Sequence, residues 1–176
     1  MRILGVDIGG TGIKAAVIET QTGKLISEHK RIPTPQPATP ENIAISLAQL
    51  VSELAWAGPI GCGFPATVHH GVAYSASNID PSWINTDAQT LFSQVTGQPC
   101  FVVNDADAAG MAEIRFGAGQ NNRGVTILLT IGTGIGSAVF VNGQLHPNTE
   151  LGHVRFGDSI AERYCAESVR IKQNLS

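Results

Sequence analysis

The stretch Val6-Asp7-Ile8-Gly9-Gly10-Thr11-Gly12-Ile13-Lys14 decides the reading of this chain. It follows a short apolar run, Arg2 to Gly5, and leads into Ala15-Ala16-Val17-Ile18. Two β-prone runs joined by a glycine-rich turn make a hairpin signal. Glycines let backbone N–H groups approach an anion with no Cβ in the way. Thr11 adds a hydroxyl donor, and Asp7 stands where a carboxylate holds a metal ion or a water beside phosphates. Taken alone, the pattern fits an ordinary tight hairpin equally well.

A second stretch repeats the design. Leu128-Leu129-Thr130-Ile131-Gly132-Thr133-Gly134-Ile135-Gly136-Ser137-Ala138-Val139 runs apolar strand, Gly/Thr-rich turn, apolar strand. Two such hairpins point to a duplicated unit serving one ligand. No GxxxxGK[ST] occurs, so this is not a Walker loop. Each glycine turn leads into a strand rather than a helix, which argues against a dinucleotide fingerprint.

Composition narrows the function classes. Charged residues make up 14% of the 176, and the net charge is −3. That excludes a grip on nucleic acid or an anionic membrane driven by overall charge. An anionic ligand must be held by local basic residues and backbone amides. No apolar run approaches a membrane span, and the N-terminus begins on a strand without a separate apolar leader core. Cys62, Cys100 and Cys165 form no CxxC, and Cys62 and Cys100 sit in apolar, strand-like surroundings. Buried free thiols and a cytoplasmic location are the expectation.

Along the chain, Arg2 to Asp7, Ile13 to Glu19 and Lys24 to Arg31 read as three antiparallel strands. The Pro-rich connector Ile32 to Pro40 ends with Thr39 as N-cap and Pro40 at the first helical position. A helix over Glu41 to Ala55 carries Ile43, Leu47, Leu50, Val51 and Leu54 on one face. Pro59 to Pro65 is a short strand, Ala66 to Trp83 a long polar loop, and Thr86 the cap of a helix from Asp87 to Val95 with Leu91 and Val95 inward. Pro99 to Val103 is a buried strand, followed by a helix over Ala106 to Phe116. The second hairpin spans Val125–Ile131 and Ile135–Val141, Asn142-Gly143 makes a type I′ turn, and one helix runs from Ser159 to Lys172. This order fits an α/β chain of the actin-like ATPase, ribonuclease-H-like fold. Residues 1–116 would form a complete first lobe and 125–176 part of a second. The stretch from Val125 onward is expected to be frayed, swapped with another copy, or propped by an oligomer contact.

Several side chains carry chemistry. Asn104-Asp105 falls where an apolar strand meets a helix, and ligands of open α/β sheets gather at the carboxyl ends of strands. Asp105 fits either a general base for a hydroxyl or a first-turn acid favoured by the helix dipole. Asp107, two residues on, is expected to face elsewhere. Glu150 and His153 offer the acceptors and donors that a polyhydroxylated ligand needs. No cysteine cluster follows His153 to complete a zinc site. His69-His70 are neighbours on an extended segment, so their rings are expected to point apart.

Asp7 to Lys14, Gly63-Phe64-Pro65, Asn104-Asp105-Ala106-Asp107-Ala108-Ala109, Thr130 to Gly136 and Glu150-Leu151-Gly152-His153 occur in the order of the ROK family of sugar kinases and sugar-responsive repressors. Within that family the chain most resembles the polyphosphate glucokinases, through Asn148 to His153 and the missing cysteine motif. The resemblance implies phosphoryl transfer from polyphosphate or ATP, with Mg2+, to the 6-hydroxyl of glucose, with Asp105 as base. It implies that Asn78, Asn104, Glu150, His153 and Glu162 bind the sugar. It places Asp7, Gly9, Gly10, Thr11, Lys14, Thr130, Gly132, Thr133 and Gly134 around the donor. It also implies a homodimer. The family's chain is longer by roughly half a lobe and carries a further glycine-rich segment absent here, so a truncated, non-catalytic sugar-binding module is the alternative. A sugar-responsive regulator is disfavoured, since the repressor branch carries a helix-turn-helix ahead of its first strand and here that strand starts at residue 2.

Overall fold

A computed structural model describes residues 1–77 and 79–174. The chain divides into two compact units, Met1–Asp105 and Ala106–Ser176.

The first unit is built on β1 (Arg2–Ile8), β2 (Gly12–Glu19) and β3 (Lys30–Pro33), then α1 (Pro40–Glu53) and β4 (Ile60–Phe64). Short strands β5 (Val68–His69), β6 (Val72–Ala73) and β7 (Thr86–Asp87) precede α2 (Ala88–Thr96) and β8 (Cys100–Asn104). The main sheet has the order β3-β2-β1-β4-β8. β1, β2 and β3 pair antiparallel, whereas β4 and β8 join in parallel. Alternation decides the faces. Leu4, Val6, Ile8, Ile13, Ala15, Cys62 and Val102 are buried, while Asp7 and Lys14, directly opposed, are exposed. Ile43, Leu47, Leu50 and Val51 of α1 join the same core. Thr39 caps α1, its hydroxyl accepting the Asn42 N–H at 3.4 Å, with Pro40 in the first turn. Trp83 is fully buried, 4.6 Å from the Phe64 ring, and donates its indole N–H to Ala38 O at 2.8 Å.

Three expectations for this unit need correction. β3 starts at Lys30, not Lys24. The earlier residues touch β2 through the Glu19 N–H on Lys24 O, the Ile18–Leu25 bridge, the Ile26 N–H on Val17 O, and the Ser27 hydroxyl, which accepts the Val17 N–H. α2 is capped by Asp87, whose carboxylate accepts the Thr90 N–H at 2.9 Å, while Thr86 belongs to β7. Ala88 and Phe92 are the fully inward residues, Leu91 packs partly buried against the same core as expected, and Val95 is exposed. The loop from Ala66 to Trp83 is not structureless: β5, β6 and a 3-10 turn at Pro81–Trp83 lie in it.

The second unit takes all but the first residue of α3 (Asp105–Phe116). The division thus falls earlier than the boundary expected at Phe116. It continues with β9 (Val125–Ile131), β10 (Ile135–Val141) and β11 (Gln144–His146), paired in the order β11-β10-β9. Gly110 lets α3 approach β10 closely, since a Cβ there would lie 2.6 Å from that of Ala138. Asn142 (φ 52°) and Gly143 (φ 79°) make the left-handed turn into β11. The single terminal helix expected is instead a hairpin, β12 (Arg155–Phe156) and β13 (Ser159–Ile160), followed by α4 (Glu162–Cys165) and α5 (Glu167–Lys172). Gly157 at φ 59° turns the hairpin, and extended Ala166 separates the helices.

Cys62, Cys100 and Cys165 are free. A hydrogen bond with Cys100, together with burial, holds the Cys62 thiol well above its ordinary range and keeps it neutral. Among the described residues no helix is long and apolar enough to cross a membrane.

β9 is an edge strand of its sheet, and Val125, Ile127, Leu129 and Ile131 are each at least 53% exposed. An apolar edge strand invites association. Amide exchange across Val125–Val141 is expected to be faster than across β1 at low protein concentration, and to slow as concentration rises. Slow exchange there in a dilute monomer, followed by mass spectrometry, would show that this hairpin is stable unaided.

Candidate functional site

The β1–β2 turn closes with the Gly9 N–H on Gly12 O at 3.0 Å. Its other carbonyls are taken by the segment leaving β3. The Thr34 hydroxyl donates to Gly9 O, the Thr34 N–H to Thr11 O at 3.5 Å, and the Gln36 amide to Gly10 O at 3.5 Å. The N–H groups of Gly10 and Thr11 find no acceptor among the described residues. The turn therefore presents donors, which is the electrostatics an anion requires. Lys14 pairs with Asp7 at 3.2 Å. Arg31 lays its guanidinium over Gly12, with Nε 2.7 Å from where a Cβ would stand.

The β9–β10 turn is treated the same way. The Gly132 N–H donates to Gly134 O at 2.9 Å. Ser168 supplies its hydroxyl to Thr133 O at 2.7 Å and its N–H to Gly132 O at 3.3 Å. The Thr130 hydroxyl occupies space that a Cβ on Gly136 would take, its oxygen 2.5 Å from that point.

At the end of β8, buried Asn104 donates its amide to Ala66 O at 3.0 Å. The half-buried Asp105 then opens α3. Asn78 lies outside the described residues.

Glu150, His153 and Glu162 come together in the second unit. His153 Nδ1 lies 3.7 Å from Glu150 and Nε2 lies 3.6 Å from Glu162. The other oxygen of Glu162 accepts the Ile135 N–H at 3.3 Å, which anchors it to the start of β10. The loop that presents Glu150 is held from below. Asp107, almost wholly buried, accepts the N–H of Asn148 at 2.8 Å, and Asn148 has φ 59°. The Ser137 hydroxyl donates to Thr149 O and accepts the Leu151 N–H at 2.9 Å. Gly152 passes close to β10, where a Cβ would meet Ile135 O. An imidazole between two carboxylates, on a braced loop, is suited to several hydroxyl groups of one ligand.

His69 and His70 do not point apart. Their rings stack edge to face at 4.3 Å, because His70 adopts φ 50° and turns back. Among the described residues no cluster of three or more His, Cys, Asp or Glu side chains is arranged to hold a metal ion.

Sequence reasoning missed the supporting residues. Thr34, Gln36 and Arg31 act on the first turn only through β3 pairing, and that strand was misplaced. Asp107 was legible as the second acid after Asn104, but its target is 41 residues away.

The ROK family profile matches residues 3–173. The polyphosphate glucokinase of Mycobacterium tuberculosis (strain H37Rv) is 49% identical over 171 residues, covering 97% of this chain and 64% of the relative. The chain thus spans less than two thirds of that relative's length. The crystal structure of an inorganic polyphosphate/ATP-glucomannokinase from an Arthrobacter species superposes with TM-score 0.95 at 46% identity, over 99% of this chain and 72% of that one. A ROK family glucokinase from Streptomyces griseus, solved with glucose and AMPPNP, gives TM-score 0.86 at 29% identity, over 98% and 59%. These neighbours place the chain in the actin-like α/β class expected from sequence.

Burial raises the Asp107 carboxyl above its ordinary range, opposed by the Asn148 N–H. Ionisation therefore costs the folded state more than the unfolded one, a penalty absent below the unfolded carboxylate range near ~3.9 and growing as pH rises through it. Asp107→Asn is expected to gain in Tm relative to wild type between pH 4 and pH 7. Asp107→Ala, which leaves the Asn148 N–H unsatisfied, should lose about 1–3 kcal/mol. Thermal melts at the two pH values check both, and a gap moving the other way would contradict the burial argument.

Proposed function

The chain belongs to the ROK family, and from that premise we propose that it serves a glucokinase, transferring a phosphoryl group from inorganic polyphosphate or ATP to the 6-hydroxyl of glucose. The observation that carries this reading is the Glu150–His153–Glu162 group on its braced loop. Relatives named for glucose and polyphosphate support it.

In this reading Glu150, His153 and Glu162 accept from and donate to the sugar hydroxyls, with Asn104 and Asn78 as further contacts. Asp105 takes the proton of the attacking hydroxyl. Gly9, Gly10, Thr11 and Lys14, with Thr130, Gly132, Thr133 and Gly134, hold the donor. Phosphoryl transfer depends chiefly on positioning and charge stabilisation, which donor-presenting turns supply. Asp7 is the carboxylate beside the first turn, which suits a Mg2+ ion that takes one or two carboxylates together with phosphate oxygens and neutralises their charge. A cytoplasmic location agrees with free thiols, and a homodimer with the exposed β9 face.

The second reading is a sugar-binding module without turnover, since the Glu150–His153–Glu162 group suits sugar hydroxyls whether or not transfer follows. A phosphotransfer assay with glucose and each donor separates the two. Given turnover, Asp105→Asn should lower kcat by about 10²–10⁴-fold and leave glucose affinity within an order of magnitude. Undiminished turnover in that variant would remove Asp105 from the mechanism.

Either reading predicts that Glu150→Ala weakens glucose binding. A hydrogen bond to a charged acceptor contributes roughly 1.5–3 kcal/mol, so the loss should be at least about tenfold. Titration calorimetry with glucose and with tripolyphosphate reports it, donor affinity staying nearly unchanged. Equal loss of both affinities would point to a damaged fold instead.

A further inference from the structure

We propose that Arg31 is a ligand of the donor's phosphate oxygens, a side-chain cation beside the backbone donors of the first glycine turn. The inference rests on the reading of Gly9 to Lys14 as the donor's turn. Three cations flank this hairpin: Lys14 on β2, and Lys30 and Arg31 on β3. Lys14 is paired with Asp7 and Lys30 with Glu53. Among the described residues Arg31 has no carboxylate within ion-pair distance. It is exposed, so its charge is available.

Its direction is set by the register. Arg31 stands opposite Lys14, and Pro33 opposite Gly12, on the outer face of the sheet. A side chain on residue 12 would block the way along that face. Glycine leaves it open, and the guanidinium lies there, with Nη2 2.9 Å and Cζ 3.1 Å from the absent Cβ. The fork therefore rests beside the turn whose Gly10 and Thr11 N–H groups are without acceptors. Gly12 has no left-handed backbone to explain it, since its φ is not among the positive ones. Room for Arg31 does.

Guanidinium is suited to the task. It is always charged and offers paired N–H groups that match two oxygens of one phosphate. In a chain of net charge −3, a donor that is a chain of phosphates needs local cations beyond Lys14, and of the three beside the hairpin Arg31 is the one without a carboxylate in ion-pair distance among the described residues.

The test measures binding, so it does not depend on turnover. Calorimetric titration of the wild-type chain, Arg31→Gln and Gly12→Ala uses inorganic tripolyphosphate, ATP and glucose, each at low and high salt. Arg31→Gln is expected to weaken tripolyphosphate about tenfold or more, with a shallower salt dependence, and to leave glucose unchanged. Gly12→Ala should give a similar loss by displacing the guanidinium, and the double variant no more than either alone. A loss shared by ATP and tripolyphosphate supports a contact on the phosphates common to both. A loss confined to tripolyphosphate supports a contact where the inorganic chain continues. Unchanged tripolyphosphate affinity in Arg31→Gln, with wild type binding well, overturns the inference and leaves the donor turn standing. No phosphate binding by wild type that still binds glucose overturns both. Parallel loss of glucose affinity in Arg31→Gln also overturns it, as the effect would then be on the fold.

Discussion

Backbone carbonyls are strong acceptors, and at the first glycine turn, half-buried at Gly9 and exposed at Gly10 and Thr11, three of them are met by one segment. Gly9, Gly10 and Thr11 turn their carbonyls toward the segment after β3. In that segment Pro33, Pro35 and Pro37 have no N–H to give, so Thr34 and Gln36 carry the supply. With the acceptors consumed, what remains at the turn is donors. On the proposed reading the chain thereby builds an anion receptor from the backbone, with little positive charge spent. This suits a composition in which only 14% of residues are charged. The β3 register, the Pro-rich connector and the turn form one unit, and shifting β3 by a residue would reverse which face Arg31 and Thr34 occupy.

The second turn solves the same problem with a different donor. Ser168, at the start of α5, supplies both of the bonds to Gly132 and Thr133. α5 is short, 6 residues, and its side chains are half or fully exposed. The order of this turn thus depends on an element with little packing of its own, whereas the first turn leans on the main core. Two hairpins of like sequence therefore differ in how firmly they are held, a difference that lies in their partners.

Much of this was legible in the sequence. Both hairpins, the Thr39–Pro40 start of α1, and the strand–helix junction at Asn104-Asp105 stand where local rules put them, because each is decided by residues adjacent in the chain. What failed was non-local. A strand over Lys24 to Arg31 follows from the turn at Gln21-Thr22-Gly23 and the β-prone Leu25-Ile26, and only pairing with Gly12 to Ala15 selects Lys30–Pro33. The Asp87 cap was given to Thr86 because the two residues are alike in propensity, and β7 pairing decides between them. The terminal helix was broken by a hairpin too short to register in any periodicity. Of the candidate site, Glu150 and His153 could be read from type and spacing. That Glu162 closes on the same histidine came only through the family resemblance, and the Asp107 and Ser137 braces needed the fold.

The two hairpins also separate sequence pattern from environment. Leu4, Val6 and Ile8 of β1 are buried, while Val125, Ile127, Leu129 and Ile131 of β9 are exposed, though both strands are apolar and β-prone. The difference is not propensity. β1 lies between β2 and β4 and its core face belongs to the cluster completed by α1. β9 is paired on one side, with β10. The hydrophobic term is proportional to area removed from water, about 25 cal/mol per Å², so the same side chains stabilise one unit strongly and the other weakly. A glycine turn holds a ligand only as rigidly as the strands beneath it. By that measure, on the proposed reading, the β1–β2 turn is the better preorganised of the two, while the β9–β10 turn rests on an exposed strand and on Ser168. If both turns hold the phosphoryl donor as proposed, affinity at the second turn is tied to the burial of that strand, and at the first turn it is not.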